Sequence, residues 1–169
     1  MRSALGTAPA DGSCKNVVER RFTPAGMERF FGKPTKMGTY SLADKLIEAS
    51  GGHFRDLILL LNEAVLRVNE PPVTVEDVDA VISNLRTSYR PKDLVDARLL
   101  HPIAQTRACI PDGLDANTLQ RITNFLDTHC ALILRNGEEW YDIHPLIRDD
   151  VEEILKRDAA RKKRDAESL

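Results

Sequence analysis

The residues best suited to chemistry lie in one short run, Ser50-Gly51-Gly52-His53-Phe54-Arg55-Asp56-Leu57. Two adjacent glycines let a helix start come close to another surface. The first turn of a helix offers unsatisfied N–H groups and the positive end of its dipole. An arginine in that turn adds a planar guanidinium that matches phosphate oxygens. Arg55 also falls off the apolar stripe Phe54, Leu57, Ile58, Leu61, so the helix does not require it in the core. The same residues fit a plainer reading. They can be a glycine-ended loop with a surface arginine paired to Asp56 or Glu48.

A second glycine pair is a decoy. Gly26 and Gly32-Lys33 superficially suggest a phosphate-binding loop, but five residues separate the glycines where that loop needs four, and Pro34 follows the lysine. The four histidines and the serines sit in no nucleophile context. Asp149-Asp150 are neighbours on a helix and point to different faces, which makes them poor acid–base partners. Cys14, Cys109 and Cys130 form no C-x-x-C and have no histidine at ligand spacing, which predicts ordinary thiols in a reducing compartment and no metal site. His144 is expected to be structural, at a helix start.

The elements that position these residues are mostly helices. Residues 1–16 read as a flexible leader. Thr23-Pro24 starts a helix running to about Phe31. Ser41 with Asp44 resembles a capping box for a helix over 42–50. A long helix runs from His53 to about Asn69; Leu59 and Leu60 widen its stripe, so burial on most sides is expected. Thr74 with Asp77 caps a helix over about 75–90, which Pro91 ends. A further helix covers roughly 92–108, broken or kinked at His101-Pro102. Ile110 to Gly113 reads as a turn, and Asp115 caps a helix over about 116–129.

The period then changes from 3.6 to 2. The runs Cys130 to Arg135 and Glu138 to Ile143 flank Asn136-Gly137, the pattern of a β-hairpin with a two-residue turn. That register pairs Arg135 with Glu138, Ile133 with Trp140 and Leu132 with Tyr141. It puts Cys130, Leu132, Leu134, Tyr141 and Ile143 on the core face. A last helix follows His144-Pro145, with a tail of mixed charge reading as a solvated face. The fold class is therefore mainly α: a helical bundle over 17–90, then a winged-helix module over 91–169 with one hairpin.

Ser50 to Leu57, with the leucine-rich helix to Arg67 and Val73-Thr74-Val75-Glu76-Asp77-Val78, resembles the sensor-2 segment and lid of AAA+ ATPases, nearest to bacterial and origin-recognition-like members. The helix over 116–129 with Ala131 to Pro145 resembles the winged helix that follows such a lid. The resemblance spans roughly 22–155. It implies that Arg55 carries the sensor chemistry, a catalytic role toward the γ-phosphate of ATP, with Gly51 and Gly52 in support. ATP and Mg would be held by a P-loop core that this sequence lacks. That makes the chain an excised or truncated C-terminal part, with no ATPase activity of its own.

The winged helix offers Asn117, Gln120, Arg121, Asn124, Arg135 and Trp140 as partner-binding residues. A net charge of −2 gives no support to strong nonspecific DNA binding. A protein partner is favoured, and DNA stays open, with a stand-alone winged-helix regulator or a protein-interaction adaptor as the alternatives. The chain has 42% hydrophobic residues, 30% charged and 5% aromatic, as in a soluble globular protein. No apolar run approaches a membrane span, and the expected location is the cytoplasm.

Overall fold

The computed structural model describes residues 11–91, 93–108, 115–136 and 138–167. The protein is mainly helical, with one two-stranded antiparallel hairpin near its C-terminal end. It divides into two compact units, residues 1–85 and 86–169. The division falls inside a helix, a few residues before the Pro91 boundary read from the sequence.

The first unit holds α1 (Asp11–Arg21), α2 (Pro24–Phe31), α3 (Ser41–Ala49), α4 (Phe54–Arg67) and most of α5 (Val75–Tyr89). Residues 11–16 are helical, which corrects the flexible leader over that stretch. The reason is burial: Cys14 and Val18 form an apolar face that packs into the unit. Residues 1–10 lie outside the described residues. α2 starts as expected, with the Gly26 N–H donating to Thr23 Oγ1 at 3.1 Å and Pro24 at the first position. Its Phe30 and Phe31 meet edge-to-face at 4.9 Å, and Phe22 joins them at 5.6 and 5.4 Å. Phe30 O accepts from the Val73 N–H at 2.8 Å, which ties the segment before α5 to α2.

Two helix starts that look alike in sequence differ in structure. At α5 the box closes both ways: Asp77 N–H donates to Thr74 Oγ1 at 3.1 Å, and Thr74 N–H donates to Asp77 Oδ2 at 3.2 Å. At α3 no box forms. The N-cap is Tyr40, whose side chain makes no cap, and Ser41 is already helical. α4 is also less buried than its stripe implies. Asp56, Leu57, Leu60, Leu61 and Ala64 face inward, but Phe54, Leu59, Val65 and Leu66 are exposed. Only one side of this helix meets other elements of its unit, so the wider stripe stays in solvent.

The second unit holds the end of α5, α6 (Leu94–Thr106), α7 (Ala116–Asp127), β1 (Ala131–Asn136), β2 (Glu138–Ile143), a short 3-10 turn (Pro145–Ile147) and α8 (Arg148–Glu167). α6 packs on α8 and β2, and α7 packs on β1. Helix α6 runs through Pro102 to Thr106, so the expected break is absent. Ile103, just beyond the proline, is buried, and this packing offsets the missing backbone donor. The turn expected over 110–113 lies outside the described residues. Asp115 caps α7 as expected, accepting from the Asn117 and Thr118 N–H groups at 2.9 and 3.0 Å.

The hairpin forms in a register one residue away from the expected one. Asn136 pairs with Glu138, Arg135 with Glu139, Leu134 with Trp140 and Ile133 with Tyr141. A one-residue slip changes which side chains share a face. Leu132 and Leu134 now lie with Trp140 and Asp142, while Tyr141 and Ile143 lie with Ala131 and Ile133. The Arg135 guanidinium meets Glu139 at 2.8 Å, a pair that belongs to this register only. Burial concentrates at the open end of the hairpin, at Ala131, Leu132 and Ile143.

The two helix starts give a direct comparison. Thr74→Ala removes a closed capping box and lowers stability by about 1 kcal/mol. Ser41→Ala removes no cap and changes stability by less than about 0.5 kcal/mol. Urea unfolding of the two variants measures this, and equal losses would contradict the assigned caps.

Candidate functional site

The approach to Arg55 is built by the turn between α3 and α4. Ser50 ends α3 and is fully buried, its Oγ donating to Ile47 O at 2.7 Å. The Ser50 Oγ also accepts from the Gly52 N–H at 3.3 Å, and Ser50 O accepts from the His53 N–H at 3.0 Å. Gly51 and Gly52 adopt φ of 61° and 82°. A side chain is strained in that region, so glycine is the favoured residue at both positions. The sequence reading gave them room for close approach; the structure adds this conformational need.

His53 is the N-cap of α4, but its side chain does not cap the helix. Its Nδ1 lies 3.1 Å from Oδ2 of Asp56, which is buried. Arg55, one residue earlier, is exposed. Among the described residues Arg55 makes no hydrogen bond or ion pair. The pairing with Asp56 or Glu48 that the plainer reading required is not formed. The first turn of α4 thus presents an uncommitted guanidinium beside helix N–H groups, which is chemistry suited to an anion. The unit also contains an open pocket of about 340 Å³, floored by Val18, Phe22, Met27, Ala43 and Ile47. Neither Arg55 nor the two glycines line it.

The winged-helix candidates are placed differently. Arg121, on α7, donates to Asp96 Oδ1 at 2.5 Å and lies 3.4 Å from Asp93 Oδ2. Asp96 is buried, and its hydrogen bond holds the Arg121 pKa above the ordinary arginine value, with Asp93 adding to the effect. Gln120 Nε2 donates to Asn124 Oδ1 at 3.1 Å, so these two side chains satisfy each other. Arg135 is bound to Glu139. Asn117 is exposed. Trp140 lies under the guanidinium of Arg107, 4.8 Å from the ring centroid. Four of the six candidates therefore already hold a polar partner within the unit, and Trp140 is covered on one face.

Arg107 is a residue that sequence reasoning passed over. It ends α6 in the left-handed conformation, φ 59°, with no glycine to signal it. Its carbonyl accepts from the Tyr141 N–H at 2.9 Å, so backbone and side chain together fasten the end of α6 to β2. His144 is structural, as expected. It is fully buried, its Nδ1 accepts from the Leu146 N–H at 3.3 Å, and its ring stacks on Tyr89 at 4.4 Å. Among the described residues no group of three or more His, Cys, Asp or Glu is placed to hold a metal ion. No described helix is long and apolar enough to cross a membrane.

No family model, no curated protein and no solved structure matches the chain. The likeness to an ATPase lid therefore rests on the residues quoted for it.

Two measurements check these placements. Arg121→Ala removes a charge-assisted hydrogen bond from the buried Asp96 carboxylate and lowers the melting temperature by several degrees, whereas Asn117→Ala leaves it unchanged. An Arg121 with no structural role would leave the melting temperature unchanged on substitution, like Asn117. The second concerns acid. Thr118, through its N–H and then its hydroxyl, holds the Asp115 carboxyl below its ordinary 3.8. The Asp96 N–H, with Arg121 adding to it, does the same for Asp93. A carboxylate lowered by folding contributes stability that is complete above 3.8 and is lost as pH falls through the folded value. Asp115→Asn keeps a capping oxygen but does not titrate, so its stability falls less steeply below pH 4 than that of the parent chain.

Proposed function

We propose that this chain is a control element of a nucleotide-driven machine of the AAA+ kind, in which Arg55 senses a phosphate held by another body. The observation that carries the reading is the exposed Arg55 guanidinium, without a partner among the described residues, in the first turn of α4. It stands three residues after Gly52, the second of two glycines in the left-handed conformation. The chain contains no phosphate-cradling loop, so ATP with Mg would be bound by a separate P-loop core. In such an assembly Arg55 would close on the γ-phosphate and draw the first unit toward the core. The first unit would serve as the lid. The winged-helix unit would carry the change to a partner, as a ligand-biased two-state element.

A protein suits that partner better than DNA. Groove-entering helices bring free Lys or Arg to phosphates. On α7 and the hairpin, Arg121 and Arg135 are already held by carboxylates. An exposed apolar residue, Ile133 on β1, is the kind of contact a protein partner uses.

The isolated chain should bind polyphosphate weakly. In a titration with pyrophosphate at tens of millimolar, amide resonances of residues 51–57 shift, and Arg55→Ala abolishes the shifts. Together with a P-loop core, Arg55→Ala lowers ATP turnover at least about tenfold, the scale of one lost charge-assisted contact. Unchanged turnover, or pyrophosphate shifts indifferent to Arg55→Ala, would sink the sensor reading. Salt-dependent binding of duplex DNA by the chain would move the choice of partner to DNA.

A further inference from the structure

The outer face of α4 carries large apolar residues in solvent. Leu59 is 44% exposed and Leu66 84%. Two charged residues flank Leu59 on the same row of the helix, Arg55 four positions before it and Glu63 four positions after. Both are exposed, and neither makes a hydrogen bond or ion pair among the described residues. They cannot neutralise each other within the helix, because eight residues of rise separate them by about 12 Å.

The pattern is self-complementary under reversal. Rows of residues four apart form the ridges by which helices most often pack, each ridge lying in the groove of its partner. When the row Arg55–Leu59–Glu63 is laid beside a reversed copy of itself, Leu59 meets Leu59. Arg55 then meets Glu63, and Glu63 meets Arg55. The neighbouring row, Ile58–Asn62–Leu66, forms the far wall of the groove and brings Leu66 into the contact. A two-fold interface needs this property of one patch serving both sides.

We propose that the outer face of α4 is a self-association surface, on which a second copy of this chain docks antiparallel with Arg55 of each copy against Glu63 of the other. The inference goes beyond the phosphate reading and competes with it for the same arginine. A chain paired in this way cannot offer Arg55 to a nucleotide, so self-association and phosphate sensing would exclude each other.

Sedimentation equilibrium of the full chain over a range of concentrations tests the proposal, with circular dichroism confirming that each variant stays helical. The parent chain shows a concentration-dependent dimer. Arg55→Glu and Glu63→Arg each bring like charges together and weaken association at least about tenfold. An equimolar mixture of the two variants restores the dimer, because each charge again meets its opposite. The double variant R55E/E63R restores it for the same reason. A parent chain that stays monomeric at millimolar concentration overturns the proposal. So do single reversals that dimerise like the parent, and a mixture that fails to recover. Glu63→Arg keeps Arg55, so its pyrophosphate response is read separately from its loss of the dimer; failure of one reading is visible without failure of the other.

Discussion

The first unit turns on two backbone angles. Gly51 and Gly52 sit at φ 61° and 82°, and only residues without a Cβ hold that pair of conformations cheaply. Buried Ser50 fixes the turn from within by bonding back to α3 and forward to Gly52 and His53. The direction in which α4 leaves follows from this reversal. So does its phase, which sends Leu57, Leu60, Leu61 and Ala64 inward and leaves Arg55, Leu59, Glu63 and Leu66 outside. A side chain at either glycine would strain the turn.

The second unit is held on a different principle. Several of its arginines are held by carboxylates: Arg86 by Asp150 at 2.8 Å, Arg98 by Asp158 at 2.7 Å, Arg148 by Asp142 at 2.5 Å, and Arg121 by Asp96. Asp96 and Asp150 are buried, so each of these acids needs its cation in place. Such pairing removes positive charge from the surface that a nucleic acid would meet. The total charge is nearly neutral as well, with 24 basic against 26 acidic residues in the whole chain.

Signals confined to three or four residues were readable in the sequence. Thr23 with Pro24, Thr74 with Asp77, and Asp115 each set a helix start by contacts with their immediate neighbours. Features that depend on distant partners were not. The Arg121–Asp96 bond joins residues 25 apart, and the same arginine had looked free for a partner. Pro102 suggested a break or a kink, and the packing at Ile103 that carries the helix past it is invisible in the chain. Ser41 and Asp44 carried the right types, but the helix begins at Ser41 itself and leaves no cap for the serine to make. The hairpin was recognised from its alternation, yet alternation alone does not fix register. Of the candidate phosphate site, the types, the spacing and the place of Arg55 off the apolar stripe were legible, and its lack of pairing was not.

The stacking of Arg107 on Trp140 has a practical consequence. The chain has one tryptophan, and it lies in the second unit, under a cation that also anchors the end of α6. Indole emission is therefore a private signal of that unit. Helical ellipticity, by contrast, is summed over both units. If the two melt as one cooperative body, emission and ellipticity trace the same curve; if they melt apart, the curves separate. The protein carries its own gauge of how far one unit informs the other.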